Sequence, residues 1–118
     1  MTDLTPDLQY LVGEPLNQVC FVMDYVELHF NGSYIRCLEP PTVVQSAKQI
    51  TFPASGSRDA LCSLIERQVR SVQGVDGGEL RLQFDDGSLV TVDLSHERRA
   101  SPEAIHFRNE ATGETQYW

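Results

Sequence analysis

Two stretches decide how the chain is read. "LVGEPLNQVCFVMDYVELHFNGS" runs from Leu11 to Ser33, and "LIERQVRSVQGVDGGELRLQFDDGS" runs from Leu64 to Ser88. They carry the same apolar pattern. At an offset of 53, Leu16 matches Val69, Val19 matches Val72 and Val22 matches Val75. One residue is then inserted, and Val26, Leu28 and Phe30 match Leu80, Leu82 and Phe84. One more enters the next turn. Gly32-Ser33 then matches Gly87-Ser88, and Ile35 and Cys37 match Val90 and Val92.

The match extends backward. Leu8, Leu11 and Val12 have the i, i+3, i+4 spacing of one helical stripe, and Leu61, Leu64 and Ile65 repeat it. Thr5 is a candidate cap, Pro6 suits a first turn and Gly13 suits an end. Ser57 is the matching cap, with Asp59 in the first turn.

After each stripe the pattern alternates, which predicts strands. Asn31-Gly32 is a two-residue hairpin signal. It pairs Phe30 with Ser33, Leu28 with Ile35 and Val26 with Cys37, so the apolar residues share a face. Asp85-Asp86-Gly87 reads as a three-residue loop with Gly87 left-handed. It pairs Phe84 with Ser88, Leu82 with Val90 and Leu80 with Val92. A tight turn at Asp24-Tyr25 pairs Phe21 with Leu28 and Val19 with Phe30.

The expected fold is therefore one α+β domain over residues 1–118. Two helix-plus-three-strand-meander repeats, about 5–37 and 58–94, form a mostly antiparallel sheet. Residues 38–57 are a linker in which "TVV" and "ITF" are candidate short strands. Residues 95–118 close the fold with a C-terminal hairpin, and Ser101-Pro102-Glu103 suits a single helical turn. The predicted core is the two helical stripes with Val19, Phe21, Val26, Leu28, Phe30, Ile35, Leu80, Leu82, Phe84, Val90 and Val92.

A chain of 118 residues buries roughly two-thirds of its unfolded surface and needs no disulfide or metal to fold. Its 9 Lys+Arg and 17 Asp+Glu give a charge of -8. Residues 1–55 hold 6 acids and 2 bases, and residues 56–118 hold 11 and 7, so each part carries -4. This balance repels nucleic-acid phosphate and anionic membranes and favours a basic protein partner. No basic n-region precedes an apolar run, so no signal peptide is expected. Cys20, Cys37 and Cys62 are odd in number and lack a CxxC, which suggests free thiols and a cytoplasmic location.

The outward face of the first meander is the most chemical stretch. The turn at Asp24-Tyr25 sets Cys20 opposite His29, and His29 lies opposite Tyr34. A Cys–His pair is a candidate thiolate nucleophile, but no third orienting residue is identifiable, so no catalytic residue or enzyme activity is expected. Glu27 faces Arg36 as a cross-strand pair. No four-ligand zinc spacing emerges from Cys20, Cys37, Cys62, His29, His96 and His106, so no metal or cofactor is expected. Cys20 and Cys37 should point to opposite faces and not bridge. His96, Glu97, Arg98 and Arg99 form a charged loop that reads as a solvated connection. "GVDGGE" (74–79) is neither a P-loop nor a dinucleotide fingerprint and reads as a strand reversal. Asp76, Glu79, Asp85 and Asp86 lie at turns and read as an acidic patch.

The "FDDGSLVTV" hairpin (84–92), together with "PEAIHF" (102–107) and Trp118, resembles a group of small bacterial α+β proteins. Those carry a duplicated helix-plus-meander unit and a closing PEA…W segment. The resemblance implies the fold and carries no activity. By size and charge the chain is also similar to immunity proteins that plug toxins, an analogy only.

The expected function is thus a non-enzymatic protein-binding domain, possible in the concrete form of an immunity-type inhibitor of a basic toxin domain. Its contacts would be Glu27, His29, Tyr34, Asp76, Glu79, Asp85 and Asp86. The alternatives are a small-ligand or metal-binding domain using Cys20, His29 and Tyr34, or a homo-oligomeric structural module, such as a homodimer, pairing through its C-terminal strand with Trp118 buried.

Overall fold

The glycine-marked turns set the local frame. Asn31 and Gly32 take φ of 51° and 100°, the left-handed pair that a two-residue hairpin loop needs. Phe30 then faces Ser33, Leu28 faces Ile35 and Val26 faces Cys37, as the sequence predicts. Gly87 sits at φ 88°, and Leu82 faces Val90 while Leu80 faces Val92. These hairpins belong to a computed structural model that describes residues 3–95 and 102–118. The loop residues His96, Glu97, Arg98 and Arg99, and Ser101 of the expected helical turn, lie outside the described residues.

The chain contributes ten strands: β1 (Gln18–Val22), β2 (Tyr25–Phe30), β3 (Ser33–Cys37), β4 (Thr42–Gln45), β5 (Lys48–Thr51), β6 (Val69–Gly74), β7 (Glu79–Phe84), β8 (Leu89–Asp93), β9 (Ile105–Arg108) and β10 (Thr115–Tyr117). They form two five-stranded antiparallel sheets, ordered β1-β2-β3-β9-β10 and β5-β4-β8-β7-β6. The two meanders therefore lie in separate sheets, which their sequence leaves open. The β4–β5 hairpin that follows the first meander joins β8 of the second, and the closing β9–β10 hairpin joins β3 of the first. Each sheet has one apolar face, and the two faces merge into one buried core. Each large side chain buried there contributes about 1.5–3 kcal/mol relative to exposure.

The protein is mostly β rather than α+β, because its helices are short: α1 (Thr5–Leu8), followed by a 3-10 turn at Gln9–Leu11, and α2 (Ser57–Cys62). The stripes end early for the same reason. Leu8, Leu11, Leu61 and Leu64 are buried, but Val12 and Ile65 are 41% and 37% exposed. Val12 has already turned extended, so its i+4 position no longer faces the core. The expected caps also move. Asp3 Oδ1 accepts from the Thr5 amide, while the Thr5 hydroxyl accepts from Gly74 N–H across the fold. Ser57 lies inside α2, behind Gly56 at φ 89°.

The first turn of the first meander is displaced too. Val22 faces Tyr25, so the loop is Met23-Asp24 and not Asp24-Tyr25. Phe21 therefore faces Val26, and Val19 faces Leu28. The shift is two residues, so every side chain keeps its face.

Each short helix reaches across the core. α1 packs on β6 of the second sheet, and α2 packs on β1 of the first as well as on β4 and β5 of the second. Between them, Gly13–Leu16 and Glu66–Val69 bind each other. Gly13 N–H donates to Val69 O at 2.8 Å and Glu66 N–H to Leu16 O at 2.7 Å. Leu16 N–H donates to Arg67 O at 2.9 Å and Val69 N–H to Glu14 O at 3.0 Å.

Gly13 and Glu66 both hold a left-handed backbone, at φ 88° and 84°. Glycine takes that conformation freely, and an L side chain there costs roughly 1–2 kcal/mol. Gly13→Ala is expected to destabilise by about that amount, and Glu66→Gly to stabilise by up to about 1 kcal/mol. Thermal denaturation checks the pair. Midpoints moving in the same direction would show that backbone strain does not govern these sites.

Candidate functional site on the outer face of the first sheet

The face turned away from the core on β1, β2, β3, β9 and β10 gathers most of the chemistry. The Asn31-Gly32 register sets Glu27 opposite Arg36 and His29 opposite Tyr34, as predicted. The displaced first turn corrects one pair: Cys20 faces Glu27, and Gln18 faces His29. Cys20 still lies on the same outward face.

Glu27 is the hub. Arg36 Nε donates to its Oε2 at 2.7 Å, and His29 Nε2 lies 3.0 Å from its Oε1. A carboxylate only accepts, so His29 is the donor there. Partial burial pulls the Glu27 pKa up, but the bonds from Arg36 and His29 outweigh it and hold the carboxyl below its usual value. The same bond to Glu27 holds Arg36 above its own.

Aromatic rings frame the hub. Tyr34 stacks on His29 with centroids 5.2 Å apart. The Arg36 guanidinium carbon lies 5.5 Å from the Tyr34 ring centre and 5.7 Å from that of Tyr25. Across the β3–β9 pairing, His106 lies opposite Arg36 and Arg108 opposite Tyr34. The Tyr117 ring meets His106 edge-on at 4.6 Å. Burial, then the Arg36 charge, push the His106 pKa down against a weaker pull from Glu103. His106, Arg108 and Tyr117 are absent from the sequence-derived site. Alternation with Ile105 and Phe107 places them on an outward face, but nothing local says which strand they join.

Cys20 completes a second grouping. One donor atom each from Cys20, Glu27 and His29 lie within 4.8 Å of one another. Gln18 Nε2 donates to Cys20 Sγ at 3.1 Å. Cys37 points the other way. It is buried, and burial followed by the Glu27 charge pushes its thiol up to about 12. All three cysteines are free, and Cys62 is exposed.

The acidic turns do not join this face. Asp76 and Glu79 lie at the β6–β7 turn, and Asp85 and Asp86 at the β7–β8 turn, so the length of β7 separates them. All four belong to the second sheet. Glu79 pairs with Arg81 at 2.9 Å. Asp86 Oδ1 accepts from Ser88 N–H at 2.9 Å, and its Oδ2 lies 3.7 Å from Arg67. Burial raises the Asp86 pKa, but the Ser88 bonds and Arg67 together leave it lowered.

A cleft of about 430 Å³ opens beside β4, β5 and α2, lined by Val43, Gln45, Lys48, Gln49, Ile50, Gly56 and Ala60. Lys48 is the one titratable side chain in that lining, so the cleft offers no acid–base pair.

No helix among the described residues is long and apolar enough to cross a membrane. No family model, curated protein or solved structure matches the chain.

Proposed function

We propose that this is a non-enzymatic protein-binding domain whose main contact surface is the outer face of the first sheet. One observation carries the reading: Arg36 is clamped by Glu27 while lying over Tyr25 and Tyr34. The strongest contacts at protein interfaces are enriched in Trp, Tyr and Arg. A guanidinium already fixed by a carboxylate and two rings loses little entropy on docking. The platform is half-buried and built on strands, so it is rigid before a partner arrives.

The charge of -8 acts at longer range. It favours encounter with a basic partner, and an inhibitor of a basic toxin domain is the concrete form we favour. The acidic turns then steer, and the aromatic face holds. With a partner purified against the wild-type chain, Tyr34→Ala is expected to weaken binding by roughly 2 kcal/mol, mainly through faster dissociation. Asp85→Lys is expected to slow association at low salt and leave dissociation nearly unchanged. Asp85 is the cleaner probe, because Asp86 caps its own turn. Surface plasmon resonance separates the two rates. Unchanged dissociation in Tyr34→Ala would sink the contact map.

We also infer that the two halves are copies of one unit. Four features support this. The registers Val19–Leu28 and Val72–Leu82 occupy matching positions. The Gly13–Leu16 and Glu66–Val69 bonds exchange into one another under the offset of 53. Phe52 N–H donates to Pro41 O after β5, as Trp118 N–H donates to Ile105 O after β10. Each half lends its helix and hairpin to the other. In such an arrangement neither half closes a core alone.

A further inference from the structure

We propose that Cys20, Glu27 and His29 form a binding site for a zinc-class divalent cation. The three donors come from two paired strands, β1 and β2, and all three project from the outer face. They supply one thiol sulfur, one imidazole nitrogen and one carboxylate oxygen. That set suits zinc and disfavours magnesium and calcium, which take oxygen ligands.

The spacing suits a four-coordinate ion. Bond lengths near 2.0–2.3 Å put neighbouring ligand atoms of a tetrahedral zinc about 3.3–3.6 Å apart. His29 Nε2 and Glu27 Oε1 are already 3.0 Å apart. Cys20 Sγ lies within 4.8 Å of both, so binding requires a side-chain adjustment of about 1 Å. The cation takes the place of the hydrogen that His29 Nε2 now donates to Glu27, and the ring keeps one proton on Nδ1 as a neutral imidazole ligand. The Cys20 thiol proton leaves as well, and the Gln18 bond to Sγ then caps a thiolate.

The surroundings already orient these ligands. Arg36 occupies Glu27 Oε2 at 2.7 Å, which leaves Oε1 for the ion and fixes a one-oxygen mode. Tyr34 stacks on the His29 ring and holds its plane. Three protein ligands leave a fourth position, and the partial exposure of Cys20 and His29 opens it to water or an incoming donor group. Glu27 and His29 belong to both this site and the proposed contact surface, but cation binding is tested without a partner, so failure of one reading is distinguishable from failure of the other.

The test uses the full chain, purified reduced and without a histidine tag. Isothermal titration with Zn²⁺ is expected to show one saturable site. Cys20→Ser and His29→Gln should each weaken it by at least about tenfold, while Cys62→Ser should bind like wild type. With Co²⁺ as probe, a thiolate-to-metal charge-transfer band should appear in wild type and Cys62→Ser and vanish in Cys20→Ser. Thermal midpoints of all variants in the absence of metal provide the fold control. If Cys20→Ser is unfolded, His29→Gln and the cobalt spectrum of wild type still decide. No saturable binding, no thiolate band, or a band lost with Cys62 in place of Cys20 would each overturn the site.

Discussion

Phe84→Ala is expected to lower the unfolding free energy by about 3–5 kcal/mol, and Phe30→Ala by a similar amount. Both side chains are fully buried, at 0% and 1% exposure. Each ends the second strand of its meander and points into the shared core. Removing the ring loses its transfer free energy and leaves a cavity, because neighbours on two paired strands cannot collapse into it. A domain of this size holds only about 5–15 kcal/mol in total, and each kcal/mol moves the melting midpoint by about 4 °C. Urea denaturation is the measurement, with an unchanged m-value as evidence that the loss is stability and not a different end state. Met23→Ala is the control. Met23 is 98% exposed at the β1–β2 turn, so its change should stay within about 0.5 kcal/mol. A loss below about 1 kcal/mol at Phe84 would mean that the two sheets do not share a packed core there.

What was legible in the sequence follows from how locally each feature is decided. The Asn31-Gly32 and Asp85-Asp86-Gly87 hairpins are set by left-handed turn chemistry within a few residues, and their registers came out as read. The Glu27–Arg36 and His29–Tyr34 pairs inherit that certainty. The Asp24-Tyr25 turn carries no glycine, and the chain instead places Met23 at φ 38°. That cost the pairing of Cys20 with His29 but not its face, since side chains alternate with period two. Sheet membership was not legible. β4 and β9 span four residues each, too short for alternation to specify a neighbour, and each pairs with a strand of the other half of the chain. His106 and Arg108 were missed as site residues for that reason. The helices were overestimated because the i+4 apolar residues Val12 and Ile65 fit a stripe that the backbone leaves before reaching them, after Leu11 and after Cys62. The acidic turns looked like one patch because they are near in sequence, and a single extended strand separates them in space.

The two faces of this protein also differ in kind. The second sheet turns Ser71, Gln73, Arg81, Gln83 and Leu89 outward around a shallow polar surface. Among its described residues, Glu79 pairs with Arg81 two positions along β7, and Asp86 approaches Arg67 beside the β7–β8 turn. The first sheet turns Tyr25, Glu27, His29, Tyr34, Arg36, His106 and Arg108 outward, linked by hydrogen bonds and ring contacts across three strands. A purely structural face needs charge and β-propensity only. A face that clamps an arginine between two rings and gathers sulfur, nitrogen and oxygen donors is more specific than solubility requires. That contrast is why both the partner reading and the cation reading fall on the first sheet.

Removing Gln116–Trp118 is the second large perturbation, and it is expected to cost more than about 3 kcal/mol. The Trp118 carbonyl accepts from both Ala104 N–H and Ile105 N–H, and Trp118 N–H donates to Ile105 O at 3.0 Å. Ala104 and Ile105 are fully buried, so the truncation leaves two buried donors unsatisfied, at about 1–3 kcal/mol each. The Trp118 ring packs on the core and is lost with them, as is the Tyr117 edge on His106. The same variant separates two accounts of the C-terminal strand. If that strand pairs one copy with another, truncation should lower the mass measured in solution. Trp118 is spent inside its own chain, so the expected result is the reverse: lower stability, with a mass per particle that stays the same or rises. A rise would come from the newly opened β9 edge, whose unpaired backbone groups invite association.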